Sequence, residues 1–542
     1  MEEGLMRKGI SLLLCVALAG SLLAGCQSEK NDKPAAGVEE EGQQTAAESS
    51  QTEGPDGLNM EGFPVVREPV TLTVYGQRDQ NQADWDEVMV LKEYEKMTNV
   101  RMDYQEVPAD GFQENLQLLF ASNDLPDVFL RCWLTDNQIA TYGVTSNQLM
   151  PLEDLIDTYA PNLTRVLEEN PLMRQAITAS DGHIYAIPQI DISATGRIDF
   201  KQWINKKWLD ELKLDIPTNY EEFKEVLIAF RDGDPNGNGE KDEIPLGVRE
   251  PSSIYVLGGS FGLQYQMKDT YNVDKEGKLH NWLCDDAFKV YLQYMNELYE
   301  EGLLWQDYYK NDRPAWRSNL AGELFGAMYM PYSDVFLNCE LDYVGYEPLK
   351  GPDGKQLWAN VNTGVTGGAF ALSNTCSNPE AAIRWVDYFY SEEGSLFFNY
   401  GLEGETYTFD DAGIPRFKDE ILNAEEGFMT ALGKINLVPG KGFPCLITDK
   451  TDGTVASDHT KEVTKVLTGF LPEKVYAKPS VSMEDTERVI AIEQDLQNYR
   501  DESVTKFIIG EWDFDKWDEY CATLEQIGIR ELEEIYQKAL GD

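Results

Sequence analysis

The sequence feature that most constrains the fold is the alternation, from Val70 onward, of short apolar runs with amphipathic helical stretches. The first of these segments read as strand, helix, strand, helix and strand, over residues 71–75, 88–97, 100–104, 112–121 and 128–130. Strands and helices that alternate in this way are typical of crossover units, in which a helix connects two parallel strands. The chain is therefore predicted to be an α/β protein with a mostly parallel sheet and helices on both faces.

The same alternation resumes in the second half of the chain. Helices are predicted over residues 220–231, 285–301, 379–390, 515–527 and 530–540, and a strand over residues 325–330. The chain has 542 residues. At roughly 100–200 residues per domain, it is expected to form two or three domains.

Charge excludes several classes of partner. The chain carries 95 acidic and 46 basic residues, a formal net charge of −49. Such a polyanion repels nucleic acid and anionic lipid headgroups, so no nucleic-acid partner is expected. The three histidines are scattered along the chain, which argues against a histidine-based zinc site.

The N-terminus predicts export and lipidation. Arg7 and Lys8 precede an apolar run over residues 10–23, which ends in Leu-Ala-Gly-Cys at Cys26. A basic start, a short apolar core and small residues before a break are typical of a secretory signal peptide. The last four residues match the lipobox of bacterial lipoproteins, so residues 1–25 are predicted to be removed and Cys26 to be acylated, with palmitate as one chain. The alternative is a plain signal peptide with an incidental cysteine.

Residues 26–65 are predicted to form a disordered acidic tether, because they contain almost no large apolar side chains. No later segment approaches 18 uncharged apolar residues, so the folded part is expected to be held to the membrane by lipid alone. The remaining cysteines contain no CxxC motif and are expected to be buried, with one incidental disulfide left open: Cys132, Cys284, Cys339, Cys376, Cys445 and Cys521.

A set of short phrases along the chain resembles those of a known family. They are Phe120–Val128, Leu149–Asp154, Asp181–Pro188, Trp203–Leu209, Leu298–Gly302, Lys350–Lys355, Asn378–Ala382, Gly401–Gly404, Phe507–Gly510 and Trp517–Tyr520. Their content and order resemble the extracellular solute-binding proteins of the carbohydrate-uptake class, family 1. The similarity is greatest to the long lipoproteins of Gram-positive bacteria and to alginate-binding proteins.

The resemblance implies a two-lobed periplasmic-binding-protein-like fold with three inter-lobe crossings, near Pro188–Ser193, Trp358–Thr363 and Gly401–Tyr407. Lobe 1 would hold residues 66–190 and 360–402, and lobe 2 residues 191–359 and 403–542. It also implies a monomeric lipoprotein on the extracellular face of a Gram-positive cell membrane, which captures an oligosaccharide and delivers it to the permease subunits of an ABC importer. The alternative is a surface sugar-binding sensor or adhesin without transport.

Residues 232–243 form the clearest metal-binding motif, since they fit the pattern D-x-[DN]-x-[DN]-G-x5-E of a calcium loop. Calcium prefers six to eight hard oxygen ligands, and alternate residues of a tight loop supply them. Two registers are open, one starting at Asp232 and one at Asp234, and the alginate-binding relatives resemble the second. The predicted ligands of a structural Ca²⁺ are Asp232, Asp234, Asn236, Asn238, Glu240, Asp242 and Glu243. The alternative is an acidic turn without metal.

No catalytic motif accompanies these features. The sequence contains no Gly-x-Ser-x-Gly, HExxH or phosphate-binding glycine loop. Carboxylates are too numerous for counting alone to exclude a glycosidase pair. Because the family-like phrases belong to binding proteins, the chain is predicted not to be an enzyme.

Sugars are recognised by aromatic rings and by planar polar side chains, which are expected in loops after strands and beside the crossings. The predicted ligand contacts are Gln77, Arg78, Trp85, Arg131, Trp133, Asp136, Asp191, Arg197, Trp203, Tyr332, Glu403 and Tyr407. Trp203 has a setting that is more often core than ligand contact. Three arginines in this set favour a uronate-containing sugar slightly over a neutral one, although each arginine could instead pair with surface acids.

Overall fold

The structure is a computed structural model that describes residues 54, 57–198, 200–266, 269–331, 340–439, 441–452 and 457–541. The predicted signal peptide, Cys26, most of the 26–65 tether, Cys339 and Tyr332 lie outside the described residues. Among the helices of the described ranges, none combines the length and the apolar character needed to cross a membrane.

The strands are short, and most belong to two sheets. They are β1 Val70–Arg78, β2 Val100–Pro108, β3 Val128–Leu130, β4 Ile187–Asp191, β5 Lys201–Asn205, β6 Ile244–Val248, β7 Tyr271–Val273, β8 Leu279–Asn281, β9 Phe325–Met330, β10 Tyr343–Gly345, β11 Val365–Leu372, β12 Tyr407–Phe409, β13 Pro415–Phe417 and β14 Leu446–Ile447.

The helices range from one turn to 26 residues. They are α1 Met89–Thr98, α2 Phe112–Ser122, α3 Asp136–Ile139, α4 Glu153–Tyr159, α5 Pro161–Glu169, α6 Pro171–Ile177, α7 Ala194–Arg197, α8 Lys206–Leu212, α9 Tyr220–Gly233, α10 Asp286–Glu300, α11 Arg313–Ala321, α12 Pro379–Asp387, α13 Glu392–Tyr400, α14 Asp419–Leu422, α15 Phe428–Ile435, α16 Asp458–Thr468, α17 Met483–Ile508, α18 Trp517–Ile527 and α19 Ile529–Leu540.

The first sheet has the strand order β14-β4-β11-β3-β1-β2. β1 pairs in parallel with β2 and β3, and β14 in parallel with β4, whereas β11 is antiparallel to both of its neighbours. The second sheet has the order β10-β5-β9-β6, with β5 antiparallel to β9 and β10 and β6 parallel to β9. In the first sheet, five of the six strands therefore run in the same direction and β11 is reversed, and in the second sheet three of the four do and β5 is reversed. The prediction of a mostly parallel sheet is confirmed, with one antiparallel strand in each sheet. β11 is reversed because it enters the first sheet from the second, without a crossover helix from a neighbouring strand.

Each sheet has its own hydrophobic core. The first core contains Val74, Leu130 and Trp385, and the second contains Trp203, Phe230 and Met328. A smaller cluster around Phe120 and Phe129 covers the other face of the first sheet. Two mixed sheets with separate cores agree with the predicted two-lobed α/β fold.

Within the described residues, the chain passes between the two cores at three places. It leaves the first sheet after Asp191 and enters the second at Lys201, and it returns between Trp358 and Val365. The third passage was predicted near Gly401–Tyr407, and this position is wrong. Residues 403–439 and 441–447 pack on the first core, because Tyr407, Phe417 and Leu432 bury their side chains there and β14 joins β4. The chain enters the second core only at α16.

The helix α9 shows how local sequence positions a functional segment. Asn219 caps its N-terminus by accepting hydrogen bonds from the backbone N–H groups of Glu221 and Glu222 at 3.1 and 2.9 Å. Phe223, Val226, Leu227 and Phe230, spaced three and four residues apart, are buried in the second core. The helix therefore delivers residues 232–243 to the surface immediately after its last turn.

Candidate functional site

A cavity of about 650 Å³ lies on the second core, beside the segment that crosses from the first sheet. Its aromatic lining residues are Phe200, Tyr265 and Tyr271, and its uncharged polar ones are Ser252, Ser253, Thr270, Asn281, Asn360 and Gln497. Its charged lining residues are Glu250, Asp269, Lys478, Glu493 and Arg500. Rings beside planar polar groups are the chemistry that binds carbohydrate faces and hydroxyls.

A smaller cavity of about 280 Å³ adjoins the first and lies between residues of the two cores. Asp136, Gly367 and Gly368 line it from the side of the first sheet, whereas Ser480 and Ile490 line it from the other. Lys478 and Glu493 line both cavities. The two cavities therefore meet at this pair, and together they are called the cleft below.

Lys478 and Glu493 form an ion pair where the two cavities meet. The ammonium nitrogen Nζ of Lys478 lies 2.7 Å from Oε1 and 2.9 Å from Oε2 of Glu493. The hydroxyl of Tyr536 donates a hydrogen bond to Oε1 of Glu493, and the ammonium lies 5.9 Å from the centre of the Tyr536 ring. Burial opposes the charge on Lys478, but Glu493 outweighs it and raises the pKa of the lysine.

Arg500 forms one wall of the larger cavity and is only 5% exposed. Its Nε donates to Oδ1 of Asp501 at 2.8 Å, and its guanidinium lies 5.8 Å from the centre of the Tyr255 ring. Tyr255 in turn stacks on Tyr265 with ring centres 4.6 Å apart. These contacts fix the guanidinium and the Tyr265 ring relative to each other, which preorganises that wall.

Ser253 offers a buried polar group to the cavity. It lies in the 3₁₀ segment Pro251–Phe261 and is 1% exposed. Within the part of the chain that the structure describes, its hydroxyl oxygen has no hydrogen-bond partner. A buried hydroxyl without a partner is costly, so this group is suited to accept or donate a hydrogen bond when a ligand arrives.

Three aromatic residues that the sequence placed at the ligand lie in the cores instead. Trp203 is fully buried in the second core, where its indole N–H donates to the carbonyl of Met330 at 3.1 Å. Trp85 is fully buried in the first core and donates to Oε1 of Gln82 at 3.1 Å, and Tyr407 is buried there as well. For these three the prediction is wrong, because the rings are buried in the hydrophobic cores and both indole N–H groups already have partners there.

The predicted arginines do not line the cavity. Arg131 is buried, and its guanidinium donates to the carbonyls of Lys441 and Pro439 at 2.8 and 3.2 Å and to Oε1 of Gln82 at 2.7 Å. Burial lowers its pKa to about 10. Its role is to fasten the end of β3 to the loop before β14, so its prediction as a ligand contact is wrong.

Arg78 forms ion pairs with Asp84 and, at 3.2 Å, with Glu106. Arg197 is exposed beside the first crossing, where its carbonyl accepts a hydrogen bond from the N–H of Asn362 at 2.9 Å. Both arginines therefore lie outside the two cavities described above.

The other predicted contacts are divided between the crossing and the surface. Asp191 accepts hydrogen bonds from the N–H and the hydroxyl of Ser193 at 2.9 and 2.6 Å, and burial raises its pKa to about 6. Trp133 is half-buried against Gly442, and Glu403 is exposed in the turn before β12. The carbonyl of Gln77 accepts from Arg131 at 3.2 Å. Of the predicted set, Asp136 lines a described cavity.

The predicted calcium loop forms an inward-facing cluster of oxygens. Asp234 has left-handed backbone with φ of 48°, and its carboxylate accepts from the N–H of Gly239 at 3.2 Å. The amides of Asn236 and Asn238 reach Oδ1 of Asp242 at 3.0 and 3.1 Å. Among the described residues, no three His, Cys, Asp or Glu side chains are grouped so that they could hold a metal ion by themselves. The donor set of this loop is mixed, with asparagines between the carboxylates.

The two ends of the loop differ in a way that bears on its register. The carboxylate of Asp232 is exposed and turned outward, where it pairs with the guanidinium of Arg231 at 2.8 Å. By contrast, Oε1 of Glu243 is buried and has no hydrogen-bond partner in the described residues. Burial, together with Asp242 and Asp234, raises the pKa of Glu243. The buried oxygens therefore belong to the stretch from Asp234 to Glu243.

The family profile described as "Bacterial extracellular solute-binding protein" matches residues 79–395, which is more than half of the chain. The chain belongs to this family. The assignment confirms the resemblance to extracellular solute-binding proteins and places the cleft in a protein class whose members are two-lobed.

Two curated relatives of this solute-binding protein match it over most of its length. The fructooligosaccharide ABC transporter substrate-binding protein FusA of Streptococcus pneumoniae is 27% identical, over 91% of this chain and 94% of that protein. The polygalacturonan/rhamnogalacturonan-binding protein YtcQ of Bacillus subtilis is 24% identical, over 98% of both chains.

Solved structures show the same fold. FusA in complex with kestose has a TM-score of 0.69 and 27% identity, over 86% of this chain and 98% of that one, and an EF-hand mutant of FusA has the same TM-score. The alginate-binding protein AlgQ2, solved without calcium ion, has a TM-score of 0.70 at 24% identity, over 89% of this chain and all of that one.

Residues that the sequence reading missed complete the site of this solute-binding protein. Glu493, Gln497 and Arg500 lie on α17, the longest helix, which was not predicted. Buried Val489, Ile492, Leu496 and Val504 follow it at helical spacing, and this pattern could have revealed the helix. Glu493, Gln497 and Arg500 lie between these apolar positions, and neither a motif nor the composition indicated that they would line a cavity.

Proposed function

We propose that this solute-binding protein captures an oligosaccharide in the cleft formed by the two adjoining cavities. The observation that carries the proposal is the larger cavity, where three aromatic rings stand among buried hydroxyl, amide and charged groups. Its volume of about 650 Å³ falls within the ordinary range for small-ligand sites. The kinship with FusA, whose solved complex contains kestose, supports a sugar as the ligand.

Delivery to the permease of an ABC importer is the second part of the proposal. FusA is an ABC transporter substrate-binding protein and matches this chain over nearly its full length, which favours transport over a sensor or adhesin role. Binding rather than hydrolysis is also favoured, because the relatives named above are binding proteins. The folded part is proposed to act as a monomer on the outer face of the membrane of a Gram-positive cell.

Lipidation of Cys26 would hold the protein at that face. We propose that the residues after Cys26 form the tether between lipid and folded part. The variant Cys26→Ala is expected to lose incorporation of radiolabelled palmitate, whereas Cys15→Ala, a cysteine within the same signal, is expected to keep it. Palmitate labelling of Cys26→Ala at the level of the parent would refute the lipid anchor.

Calcium is proposed as a structural cofactor of the loop after α9. The residues that would hold it are Asp234, Asn236, Asn238, the backbone carbonyl of Glu240, and the carboxylates of Asp242 and Glu243. The buried, unpartnered oxygen of Glu243 supports this donor set, and so does the EF-hand named for FusA. Bound calcium supplies positive charge that compensates the carboxylates. The loop leads directly into β6 rather than into an exit helix, which favours a structural over a sensing role.

The binding proposal is tested by isothermal titration calorimetry of the purified protein against a panel of oligosaccharides. We expect saturable binding of at least one member, weakened about ten-fold or more in Tyr265→Ala because a stacking ring is lost. Tyr309→Ala is the matched control, since Tyr309 lies outside the cavity. Release of reducing sugar during the titration, or absence of binding across the panel, would contradict the proposal.

Transport is tested separately in cells. Deletion of the protein should abolish uptake of the radiolabelled oligosaccharide that binds in calorimetry, and the wild-type gene should restore it. Unchanged uptake together with tight binding would favour the sensor or adhesin alternative.

A further inference from the structure

We propose that the cleft is matched to uncharged oligosaccharides, and that Glu493 determines this preference by neutralising Lys478, the cation shared by both cavities. The inference rests on the proposed function, and it adds that the bound oligosaccharide carries no charge. It reverses the slight preference for a uronate-containing sugar that the arginines of the sequence suggested.

Both cations that line the larger cavity already have a carboxylate partner. Lys478 lies 2.7 Å from Glu493, and Arg500 lies 2.8 Å from Asp501. A third cation, Arg249, lies over the Phe200 ring at 5.7 Å, and its guanidinium is 3.7 Å from Glu250. A sugar carboxylate that approached any of these cations would therefore lie beside a protein carboxylate that already neutralises its charge.

Carboxylates outnumber cations around the cleft. Glu250, Asp269 and Glu493 line the larger cavity together with Lys478 and Arg500, and Asp136 adds a further carboxylate in the smaller one. A uronate bound here would face this excess of negative charge. Like charges so placed repel strongly, so the cleft selects against acidic sugars.

Hydroxyl groups suit the ion pair better than a carboxylate does. A sugar hydroxyl donates one hydrogen bond and accepts others, whereas an ionised carboxylate only accepts. The ammonium of Lys478 is a donor and the carboxylate of Glu493 an acceptor, and the two lie side by side where the cavities meet. A sugar hydroxyl at this position can use both groups at once, while a sugar carboxylate at the same position can use only the first.

Two of the three arginines that favoured an acidic sugar are committed to other partners, and the third, Arg197, is exposed outside both cavities. Arg131 is held by backbone carbonyls of Lys441 and Pro439, and Arg78 pairs with Asp84 and Glu106. Neither lines the two cavities. The local charge that decides the ligand is therefore the one around Lys478.

The first test compares ligand classes on the unmodified protein by isothermal titration calorimetry at 0.15 M salt. The neutral probes are 1-kestose, maltotriose and xylotriose, and the acidic probes are trigalacturonate and trimannuronate. We expect the best neutral probe to bind at least about ten-fold more tightly than the best acidic one. An acidic probe that binds equally or more tightly overturns this inference alone, whereas binding by neither class overturns the proposed function as well.

The second test removes the charge of the specificity-determining residue. In Glu493→Gln, Lys478 is left without its carboxylate, so the ratio of acidic to neutral affinity is expected to rise about ten-fold. Glu487→Gln makes the same change at an exposed position of α17 outside the cavities and should leave the ratio unchanged. An unchanged ratio in Glu493→Gln overturns the role of Glu493. The comparison of ligand classes on the parent needs no variant, so it decides the ligand charge even if Glu493→Gln does not fold.

Discussion

The side-chain carbonyl oxygen of Asn360 accepts a hydrogen bond of 2.9 Å from the backbone N–H of Phe200. Phe200 lies in the segment that leaves the first sheet, and Asn360 lies in the segment that returns to it, so this hydrogen bond joins the two segments. Both residues also line the larger cavity. This hydrogen bond therefore couples the geometry of the passage between the two sheets to the shape of the proposed sugar site.

Asn360→Ala should weaken both the fold and the site. Loss of the acceptor leaves the N–H of Phe200 without this partner, which costs about 1–3 kcal/mol of unfolding free energy. Affinity for the oligosaccharide should fall as well, because Asn360 lines the cavity. Urea unfolding and calorimetry measure the two effects. Asn423→Ala, at an exposed position outside the site, should change the unfolding free energy by less than about 0.5 kcal/mol. Equal effects of the two variants would contradict the role assigned to Asn360.

Arg131→Met should destabilise the fold and spare the ligand. The substitution removes hydrogen bonds to the carbonyls of Lys441 and Pro439 and leaves buried acceptors, at a cost of about 1–3 kcal/mol. Arg165→Met, which removes an exposed ion pair with Glu169, should cost less than about 0.5 kcal/mol. A large loss of sugar affinity in Arg131→Met, with unfolding free energy unchanged, would restore Arg131 as a ligand contact.

The pH dependence of stability should contain a contribution from Asp191. Burial raises the pKa of this carboxyl to about 6, above its value in the unfolded chain, so the folded protein prefers the protonated form. Its contribution is complete below about pH 4 and is lost as the pH rises through about 6. The unfolding free energy of the parent, minus that of Asp191→Asn, should therefore decrease between pH 4 and 7. A difference that is flat or that increases over this range would disprove the assignment.

Substituting Asp234 and Asp232 one at a time should show which of the two registers the calcium loop uses. Asp234→Asn should abolish calcium-dependent stabilisation, since Asp234 faces the loop interior. Asp232→Asn should retain it, since Asp232 is turned outward to Arg231. The measurement is the melting temperature of chelator-treated protein with and without 1 mM calcium, where binding to the folded state alone raises the midpoint. The opposite result would establish the register that begins at Asp232, and no shift in the parent would exclude a calcium site.

Much of the fold could be predicted from local sequence patterns. The helices at α1, α2, α9 and α10 and the strands β1, β2, β3 and β9 begin and end within a few residues of their predicted positions, because hydrophobic spacing and caps are local. The position of the third passage between the cores could not be predicted, because no local sequence pattern shows whether the side chains of Tyr407 and Phe417 are buried in the first core or in the second.

The ligand contacts were harder to predict than the fold for the same reason. Trp203 and Arg131 have the residue types expected of a sugar site, but tertiary packing buries one in a core and commits the other to backbone carbonyls. Glu493 and Arg500 come from a helix more than 300 residues after the first sheet begins. Contacts over such separations are set by the assembled fold, so a single sequence carries little signal for them.

The most direct test of the account is a crystal structure of the protein with the oligosaccharide that binds most tightly in calorimetry. The account predicts the sugar in the larger cavity, with a ring against Tyr265 or Tyr271 and hydroxyls within hydrogen-bond distance of Lys478, Glu493 or Arg500. A sugar bound elsewhere, with this cavity empty, would contradict it.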